Sequence, residues 1–566
     1  MVRLTGFASV LFMPSVLAVL SGTATLALAA PSACDQLAKF KITGAELVIT
    51  KTESVSAALA GTVRLNGRGP ETISVALPAY CRIDGTIRPR TGVNGTAYGI
   101  GFALALPAGW NGGFLFQGGG GLNGSVAQPL GSQAAGDTPA LARGFAVVTT
   151  DSGHKGAVFD GSFMKDQQAS LDFAYAAVGR VTEVAKQIVA QYYGEPARHS
   201  YFDGCSTGGR EAMLATQRYP LDFDGVISGD PAMRTGYSNL ADAWITVALN
   251  QIAPKDDAGK PIVARALSDA DKKLVVSSLL EQCDAADGLR DGMIFNIRGC
   301  RFDPAVLTCK GAKTETCLTS AQVNAIQKGF AGPKTARGVA VYSPFPFDTG
   351  MAANGPGIIP GLLNPGPSPV APPNLAMQMD VDEAAAAVAA NSRTALTDTV
   401  STDLSTFFDR GGKLIFYHGM SDPWFSPLDT LDYYQRMAQQ NGGLDHVATR
   451  SRIYLVPGMG HCAGGTAALD RFDALSAVVD WVEKGTPPDS ITATGRAFPG
   501  RSRPLCAWPK FAHYKAVVIP KTFAILSAAN QTDATRNRPG TGCGRWERRG
   551  RGSLRSAPGG RSALDI

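Results

Sequence analysis

The stretch His199-Ser-Tyr-Phe-Asp-Gly-Cys-Ser-Thr-Gly-Gly-Arg-Glu-Ala-Met213 governs the interpretation of this chain. Residues 200–203 predict a short strand and residues 211–218 a helix, which Pro220 ends. Between them lies G-x-S-x-G, the pattern of a nucleophile elbow, in which a serine occupies a sharp turn between a strand and a helix. A Cβ at Gly204 or Gly208 would collide with neighbouring backbone in such a turn. The pattern therefore predicts Ser206 as a nucleophile, and the alternative is a glycine-rich turn that happens to contain a serine.

Strand and helix patterns alternate on both sides of this stretch. Apolar or alternating runs predict strands at residues 45–51, 61–66, 99–107, 113–117, 144–151, 223–230, 413–418 and 451–457. Helical patterns cover residues 171–193, 381–391, 403–410, 428–440 and 467–484. We expect the first two strands to be antiparallel. The alternation that follows predicts an α/β fold with a mainly parallel sheet covered on both faces.

The length of 566 residues exceeds what one hydrophobic core usually organises. Residues 231–399 contain four cysteines, a Pro/Gly-rich stretch at 344–373 and few strand signals, which predicts a lid domain inserted between two parts of a catalytic domain, 31–230 and 400–515. The alternative is two independent domains in tandem. Residues 516–566 are rich in glycine and arginine, and we predict a largely disordered tail.

The chain begins with features of a secretory signal. Residues 1–30 combine a basic start, an apolar segment and an A-x-A-like site at Ala29 and Ala30, which predicts cleavage there and a secreted or periplasmic protein; the alternative is a membrane anchor. No later stretch has the roughly twenty apolar residues of a membrane helix, so we expect no membrane association after cleavage. The net charge of +6 is small and much of it lies in the tail, so we expect no nucleic-acid partner. Ten cysteines, an even number, favour disulfides.

A nucleophilic serine needs a base, and the base needs an orienting carboxylate. Among the six histidines, His461 follows a strong strand in a glycine-rich loop. His418 also ends a strand, but Asp422 comes shortly after it and supplies an acid before His461. Ser206, Asp422 and His461 thus stand at three strand ends in the order found in α/β-hydrolases. The alternative for any single histidine is a hydrogen-bonded, half-buried imidazole.

Two cysteines flank this constellation. Cys205 directly precedes Ser206, and Cys462 directly follows His461. If the triad assembles, the two sulfurs come close, and a disulfide between them would join the two catalytic loops across the insertion. The alternative is a reactive thiol at Cys205, which an oxidising compartment disfavours.

The glycine run at residues 118–124 has two interpretations. Gly119-Gly-Gly-Leu-Asn-Gly124 satisfies G-x-G-x-x-G, a dinucleotide-binding pattern, but lacks the acidic residue at a second strand end about twenty residues later. In a hydrolase, a loop at this place supplies an N–H group to the oxyanion hole, and the N–H group of Thr207 is the other donor. The second interpretation fits better.

An acidic loop lies within the predicted lid, Cys283-Asp-Ala-Ala-Asp-Gly-Leu-Arg-Asp-Gly-Met293. Carboxylate and carbonyl oxygens are the ligands of hard cations such as calcium. The predicted ligands are the carboxylates of Asp284, Asp287 and Asp291 and the carbonyls of Leu289 and Met293. The alternative is a solvated acidic turn.

These motifs together resemble the tannase and feruloyl esterase family of α/β-hydrolases. The resemblance rests on residues 204–209, 418–422 and 458–462, covers about residues 34–515, and is strongest to the branch that contains the mono(2-hydroxyethyl) terephthalate hydrolase. It implies an α/β-hydrolase fold with a large inserted lid, calcium in the acidic loop, no organic cofactor, and oxyanion donors at Gly121 and Thr207. It also implies the disulfides Cys34–Cys81, Cys205–Cys462, Cys283–Cys300, Cys309–Cys317 and Cys506–Cys543.

The resulting prediction is a secreted serine carboxylic-ester hydrolase that acts on small aromatic esters of the feruloyl, galloyl or mono-hydroxyethyl-terephthalate type. One alternative is an acyltransferase with the same triad. A dinucleotide-dependent oxidoreductase rests on the glycine run alone, and a non-catalytic binding protein is disfavoured by the complete triad. The Pro/Gly-rich segment 351–396 does not identify the ester, and the oligomeric state stays open.

Overall fold

The computed structural model describes residues 33–64, 71–353, 361–365, 374–514 and 541–545, so the predicted signal lies outside the described residues. Its main element is a sheet of nine strands: β1 Leu47–Val55, β2 Tyr80–Thr91, β3 Ala97–Pro107, β4 Gly113–Gln117, β5 Ala146–Thr150, β6 His199–Cys205, β7 Gly225–Gly229, β8 Lys413–Gly419 and β9 Ser451–Val456. Smaller sheets contain β10 Arg471–Phe472, β11 Ser490–Thr494, β12 Ser502–Cys506, β13 Lys510–Tyr514 and β14 Thr541–Arg545.

The strand order in the large sheet is β1-β2-β3-β5-β4-β6-β7-β8-β9. The pairs β1–β2, β2–β3 and β3–β5 are antiparallel, and all pairs from β5 to β9 are parallel. The mainly parallel sheet is as predicted, and the sheet does start with antiparallel strands, but the partner of the first strand is Tyr80–Thr91 and not the predicted residues 61–66. Because parallel strands end at one edge, the residues after β4, β6, β7, β8 and β9 meet there, and this edge carries the candidate site.

Helices cover both faces of the sheet. The helices are α1 Ala33–Gln36, α2 Gln167–Leu171, α3 Ala177–Tyr193, α4 Thr207–Gln217, α5 Thr235–Asn250, α6 Asp269–Cys283, α7 Ser320–Phe330, α8 Val381–Ala390, α9 Ser392–Thr397, α10 Ser405–Asp409, α11 Pro427–Gln440, α12 Leu444–Val447 and α13 Ala474–Lys484. Alternate strand residues point to opposite faces. Phe202 therefore joins the core beneath α3, α4 and α11, whereas Tyr201 joins the core beneath α13.

Helices α5 to α9 lie between β7 and β8, and no described residue of this segment belongs to the large sheet. Helices α5, α6 and α7 enclose a separate apolar core, which includes Ile245, Leu279 and Phe330. No helix among the described residues is long and apolar enough to cross a membrane. The five disulfides are Cys34–Cys81, Cys205–Cys462, Cys283–Cys300, Cys309–Cys317 and Cys506–Cys543, the pairs that the resemblance implies.

Several predicted boundaries are wrong. Residues 61–66 form no strand among their described positions, only a bridge between Arg64 and Thr72. The helix predicted at 467–484 begins at Ala474, because Arg471–Phe472 pair with β11 as a strand. The helix after the elbow begins at Thr207, four residues earlier than predicted. Part of the tail predicted as disordered forms β14, which pairs with β13.

Candidate active site

Ser206 stands between β6 and α4 in a conformation that few non-glycine residues adopt, with φ 65° and ψ −122°. A Cβ on Gly204 would lie 2.4 Å from the carbonyl oxygen of Gly208, and a Cβ on Gly208 would lie 2.7 Å from that of Gly119. Only glycine fits at these two positions. The turn therefore has the shape that the G-x-S-x-G pattern predicts, and the half-buried Ser206 lies at its tip.

Asp422 and His461 follow β8 and β9 and are hydrogen-bonded to each other. The distance from His461 Nδ1 to Asp422 Oδ2 is 2.7 Å, and both side chains are buried. The other oxygen, Oδ1, accepts the backbone N–H groups of Trp424 at 2.8 Å and Phe425 at 3.1 Å. Burial alone would raise the pKa of Asp422, but the charges of His461 and His418 and the hydrogen bonds that these two rings make with it lower the pKa below the usual value. Asp422 is therefore an ionised acid that orients His461.

His418, considered above as a possible base, instead supports Asp422. Its Nε2 atom lies 3.0 Å from the carbonyl oxygen of Phe425 and 3.3 Å from Asp422 Oδ2, and its Nδ1 atom lies 2.9 Å from Thr430 Oγ1. Both neighbours of Nε2 are acceptors, so we assign a proton to that nitrogen. Asp422 Oδ2 thus faces two imidazole rings.

A second acid, Asp230, was not identified from the sequence. It directly follows β7, is fully buried, and lies 3.9 Å from His461 Nδ1. Its oxygens accept the N–H groups of Cys462 at 2.5 Å and Gly419 at 3.1 Å, so it joins the histidine loop to the end of β8. An acid at the carboxyl end of a parallel strand was the available signal. Burial of His461 opposes its charge, but Asp422 and Asp230 outweigh this effect and raise its pKa.

The disulfide Cys205–Cys462 joins the residue before Ser206 to the residue after His461. The two Cα atoms are 5.9 Å apart, although the cysteines are separated by 257 positions in the sequence. The alternative of a free thiol at Cys205 is therefore wrong in this structure. The bond brings the elbow and the histidine loop together across the inserted helices.

The glycine loop at residues 118–121 packs against the elbow. Gly121 has φ 58°, and a Cβ there would lie 2.4 Å from the carbonyl oxygen of Val158. Thr207 Oγ1 donates a hydrogen bond to the carbonyl oxygen of Gly121. The N–H groups of Gly121 and Thr207 have no backbone acceptor among the described residues. A dinucleotide fingerprint requires a helix directly after the glycine motif. In this described part of the chain, no helix follows the loop directly.

Aromatic rings surround the candidate base. The rings of Trp424 and Phe425 lie 4.9 Å and 5.4 Å from the His461 ring, and Phe159 meets Trp424 edge to face at 6.3 Å. His461 Nε2 is buried and has no hydrogen-bond partner in the described part of the chain. This nitrogen is the one available to accept a proton, because Nδ1 is engaged by Asp422. An aromatic substrate could pack against these rings while its ester lies beside His461.

The acidic loop of the lid has oxygen ligands suited to calcium. Asp284 and Asp287 are buried, and burial together with Asp291 and Asp284 raises the pKa of Asp287 to about 6. Arg503 donates to Asp291 and supplies part of the missing positive charge. In this part of the described chain, the three carboxylates do not form a group whose ligand atoms all lie within 4.8 Å of one another. The donor chemistry and the repulsion fit a hard cation, and binding would require these oxygens to approach one another.

Comparisons with known proteins also indicate an ester hydrolase. A family model described as tannase and feruloyl esterase matches residues 81–361 and 372–522. The mono(2-hydroxyethyl) terephthalate hydrolase of Piscinibacter sakaiensis is 40% identical over 512 residues, which cover 79% of this chain and 84% of that protein.

Solved structures extend the likeness to three dimensions. Feruloyl esterase B from Aspergillus oryzae superimposes with a TM-score of 0.68 at 26% identity, covering 85% of this chain and 96% of that one. Tannin acyl hydrolase from Aspergillus niger gives a TM-score of 0.64 at 19% identity, with 83% and 90% covered, and supports the fold alone.

Proposed function

The chain belongs to the tannase and feruloyl esterase family and is a carboxylic ester hydrolase with an α/β-hydrolase fold; from this premise we propose that it hydrolyses small aromatic esters with Ser206, His461 and Asp422. The observation that carries the proposal is the 2.7 Å contact between His461 Nδ1 and Asp422 Oδ2. It leaves Nε2 as the only nitrogen of His461 that can act as base. The strained elbow and the disulfide place Ser206 on the same edge of the sheet.

In the proposed first step, His461 Nε2 removes the hydroxyl proton of Ser206 as Oγ attacks the ester carbonyl. The electron pair of the carbonyl moves to its oxygen, and the N–H groups of Gly121 and Thr207 stabilise that negative charge. His461 then protonates the departing alcohol, which leaves an acyl group on Ser206. Water, deprotonated by His461, releases the aromatic acid in the second step. Asp422 orients His461 and stabilises the imidazolium throughout.

Feruloyl, galloyl and mono-hydroxyethyl-terephthalate esters are the proposed substrates. The names of the relatives and the aromatic rings of Phe159, Trp424 and Phe425 beside His461 support this class. The test compares mono(2-hydroxyethyl) terephthalate, methyl ferulate and methyl gallate with an aliphatic ester of similar size. We expect at least one of the aromatic esters to be cleaved with a higher kcat/KM than the aliphatic ester. A preference for the aliphatic ester would contradict the proposed class.

We also propose that the acidic loop binds one structural calcium ion. Asp284, Asp287 and Asp291, with the carbonyls of Leu289 and Met293, would hold it, and the ion would neutralise the buried carboxylates of this loop. Burial and the neighbouring acids raise the pKa of Asp287, and a bound cation would offset both effects, which supports this proposal. Elemental analysis of protein passed through calcium-free buffer, with and without prior calcium addition, gives the direct test.

A secreted or periplasmic location is proposed on the sequence of residues 1–30 and on the five disulfides, which form in oxidising compartments. Mass spectrometry of the mature protein tests it. We expect the first residue to lie just after Ala29 or Ala30.

A further inference from the structure

Helix α4 carries two polar side chains that hold the glycine loop. Thr207 and Glu211 are four residues apart, so they lie one turn apart on the same face of the helix. Thr207 Oγ1 donates to the carbonyl oxygen of Gly121, and Glu211 Oε2 accepts the N–H group of Gly119 at 2.8 Å. The helix that begins after the nucleophile therefore also grips the loop on either side of residue 120.

Glu211 is 1% exposed, and both of its oxygens are used. Besides Gly119, it accepts Nδ2 of Asn123 at 2.7 Å and Oγ of Ser152 at 3.0 Å. Burying a carboxylate is costly unless donors compensate for the lost water. The three donors all belong to the glycine loop or to the segment packed beneath it.

The backbone preferences of the glycine loop do not by themselves fix its conformation, so its contacts decide where its N–H groups point. Gly121 and Asn123 both have positive φ, 58° and 55°. Glycine adopts this left-handed conformation freely and asparagine more readily than other residues, so both residues have alternatives that the surrounding contacts must exclude. Asn123 also presses on Gly119, where a Cβ would lie 2.2 Å from Asn123 Oδ1. Gly119, Asn123 and Glu211 therefore form one packed, hydrogen-bonded unit.

We propose that Glu211 is a positioning residue of the oxyanion hole: by fixing Gly119 and Asn123, it aims the N–H group of Gly121, which lies between them, at the oxyanion. This rests on the proposed function, since it requires Gly121 to be an oxyanion donor. A backbone donor stabilises the transition state only when it points at the developing charge. Losing one such donor costs about a hundredfold to a thousandfold in kcat.

The first experiment compares Glu211→Ala with Glu211→Gln and with Thr216→Ala. We expect Glu211→Ala to lower kcat about a hundredfold with little change in KM, because the donor acts mainly on the transition state. Glu211→Gln keeps one oxygen for the N–H group of Gly119 and should recover a substantial part of the loss. Thr216, on the same helix and equally buried, bonds only to the carbonyl of Met213, so its alanine variant should keep wild-type kcat.

The second experiment separates positioning from a general structural role. An aryl trifluoromethyl ketone accepts Ser206 Oγ at its carbonyl carbon, its carbonyl electron pair becomes an oxyanion, and the serine proton passes to His461. In Glu211→Ala, the affinity for this ketone should fall by about the same factor as kcat/KM, while the affinity for the matching aromatic acid stays unchanged. Equal losses for both ligands, or unchanged ketone affinity, would overturn the proposal.

Two further variants keep the test decisive. If Glu211→Ala does not fold, Asn123→Gly is tested instead. This change removes the side chain that bonds to Glu211 and tolerates the positive φ, and we expect the same selective loss of ketone affinity. Ser206→Ala distinguishes the two levels of the argument. Retained hydrolysis in that variant would refute the proposed function. An inactive Ser206→Ala together with a fully active Glu211→Ala would refute only the role of Glu211.

Discussion

Asp422 beside His461 and Asp287 in the acidic loop are both buried acids, but their pKa values are shifted in opposite directions. Asp422 is fully buried and accepts two backbone N–H groups, and the charges and hydrogen bonds of two histidines lower its pKa. Asp287 in the lid also accepts two backbone N–H groups, from Leu289 and Phe295, yet its pKa is raised to about 6. Burial and the neighbouring acids cause that rise. The clusters therefore differ in counter-charge rather than in hydrogen bonding.

This difference indicates how each cluster depends on its surroundings. In the catalytic cluster, imidazole rings from β8 and from the loop after β9 supply partners for the carboxylates, so the protein completes the site by itself. In the acidic loop, Arg503 and Arg501 approach only Asp291. The remaining repulsion has no protein partner of opposite charge among the contacts described above. We therefore expect mutations in the first cluster to change activity, and we expect calcium and pH to change stability through the second cluster.

The largest expected effect is that of Ser206→Ala. Removing a triad nucleophile typically lowers kcat about a millionfold. Hydrolysis of the best aryl ester should therefore be lost, while the melting temperature stays close to that of the wild type, because the elbow is held by Gly204, Gly208 and the disulfide. Turnover near the wild-type rate would place the nucleophile elsewhere and remove the catalytic half of the comparison.

The next effect is that of replacing Cys205 and Cys462 together by serine. The triad needs its nucleophile and base within hydrogen-bond reach, and a misplacement of roughly one ångström can cost about a hundredfold. We expect a kcat loss of about that size in a double variant that is still folded. The pair Cys309 and Cys317, in the lid, is the matched control, and its serine variant should keep its kcat. Peptide mapping without reduction must also find Cys205 bonded to Cys462.

A moderate effect is expected for Asp230→Asn. Burial raises the pKa of Asp230 to about 6, so above that pH its carboxylate lies 3.9 Å from His461 Nδ1 as a negative charge. The substitution removes this charge, which disfavours the imidazolium and should lower the pKa of His461. The acid limb of the kcat/KM profile should move to lower pH by about one to two units, since a charge at this distance typically has that effect. An acid limb that does not move would mean that Asp230 only holds the backbone of Gly419 and Cys462.

A smaller effect should follow calcium removal. An ion that binds only the folded state and is present at about one hundred times its Kd stabilises that state by about 2.7 kcal/mol. Chelation should therefore lower the melting temperature by a few degrees, leave kcat at low temperature unchanged, and have less effect on Asp287→Asn. A melting curve that is the same with and without chelator, and no bound metal by elemental analysis, would make the loop a solvated turn.

The smallest effect concerns the pH dependence of the calcium-free protein. The folded-state pKa of Asp287 is raised to about 6. The contribution of its protonated form to the stability of the folded state is therefore fully present below the pKa of the unfolded chain, and it is lost as pH rises through about 6. In metal-free buffers, the urea midpoint of the wild type should fall relative to that of Asp287→Asn between about pH 4 and pH 6.5. Parallel curves over this interval would show that the carboxylate is not destabilised by its neighbours.

Local patterns in the sequence predicted many strands and helices and three residues of the candidate site, but they did not identify others, such as β2. Strand 113–117 was predicted with its observed bounds, and the elbow at Ser206 has the predicted turn, because short-range steric contacts decide both. Asp422 and His461 could be selected because each follows a strong strand, and the ends of parallel strands meet at one edge. The even number of cysteines predicted disulfides, but their pairing came from the family resemblance.

Only the tertiary structure decided which distant groups complete the site. Asp230 reaches His461 from β7, and Glu211 reaches the glycine loop from α4; both contacts join segments that are more than eighty positions apart. No local period marks such residues, because their role depends on which strand ends and helix faces meet after the sheet has closed. The same reason explains β14, whose pairing with β13 is invisible in a segment rich in glycine and arginine. Sequence therefore determined the local conformations, and chain closure determined their partners.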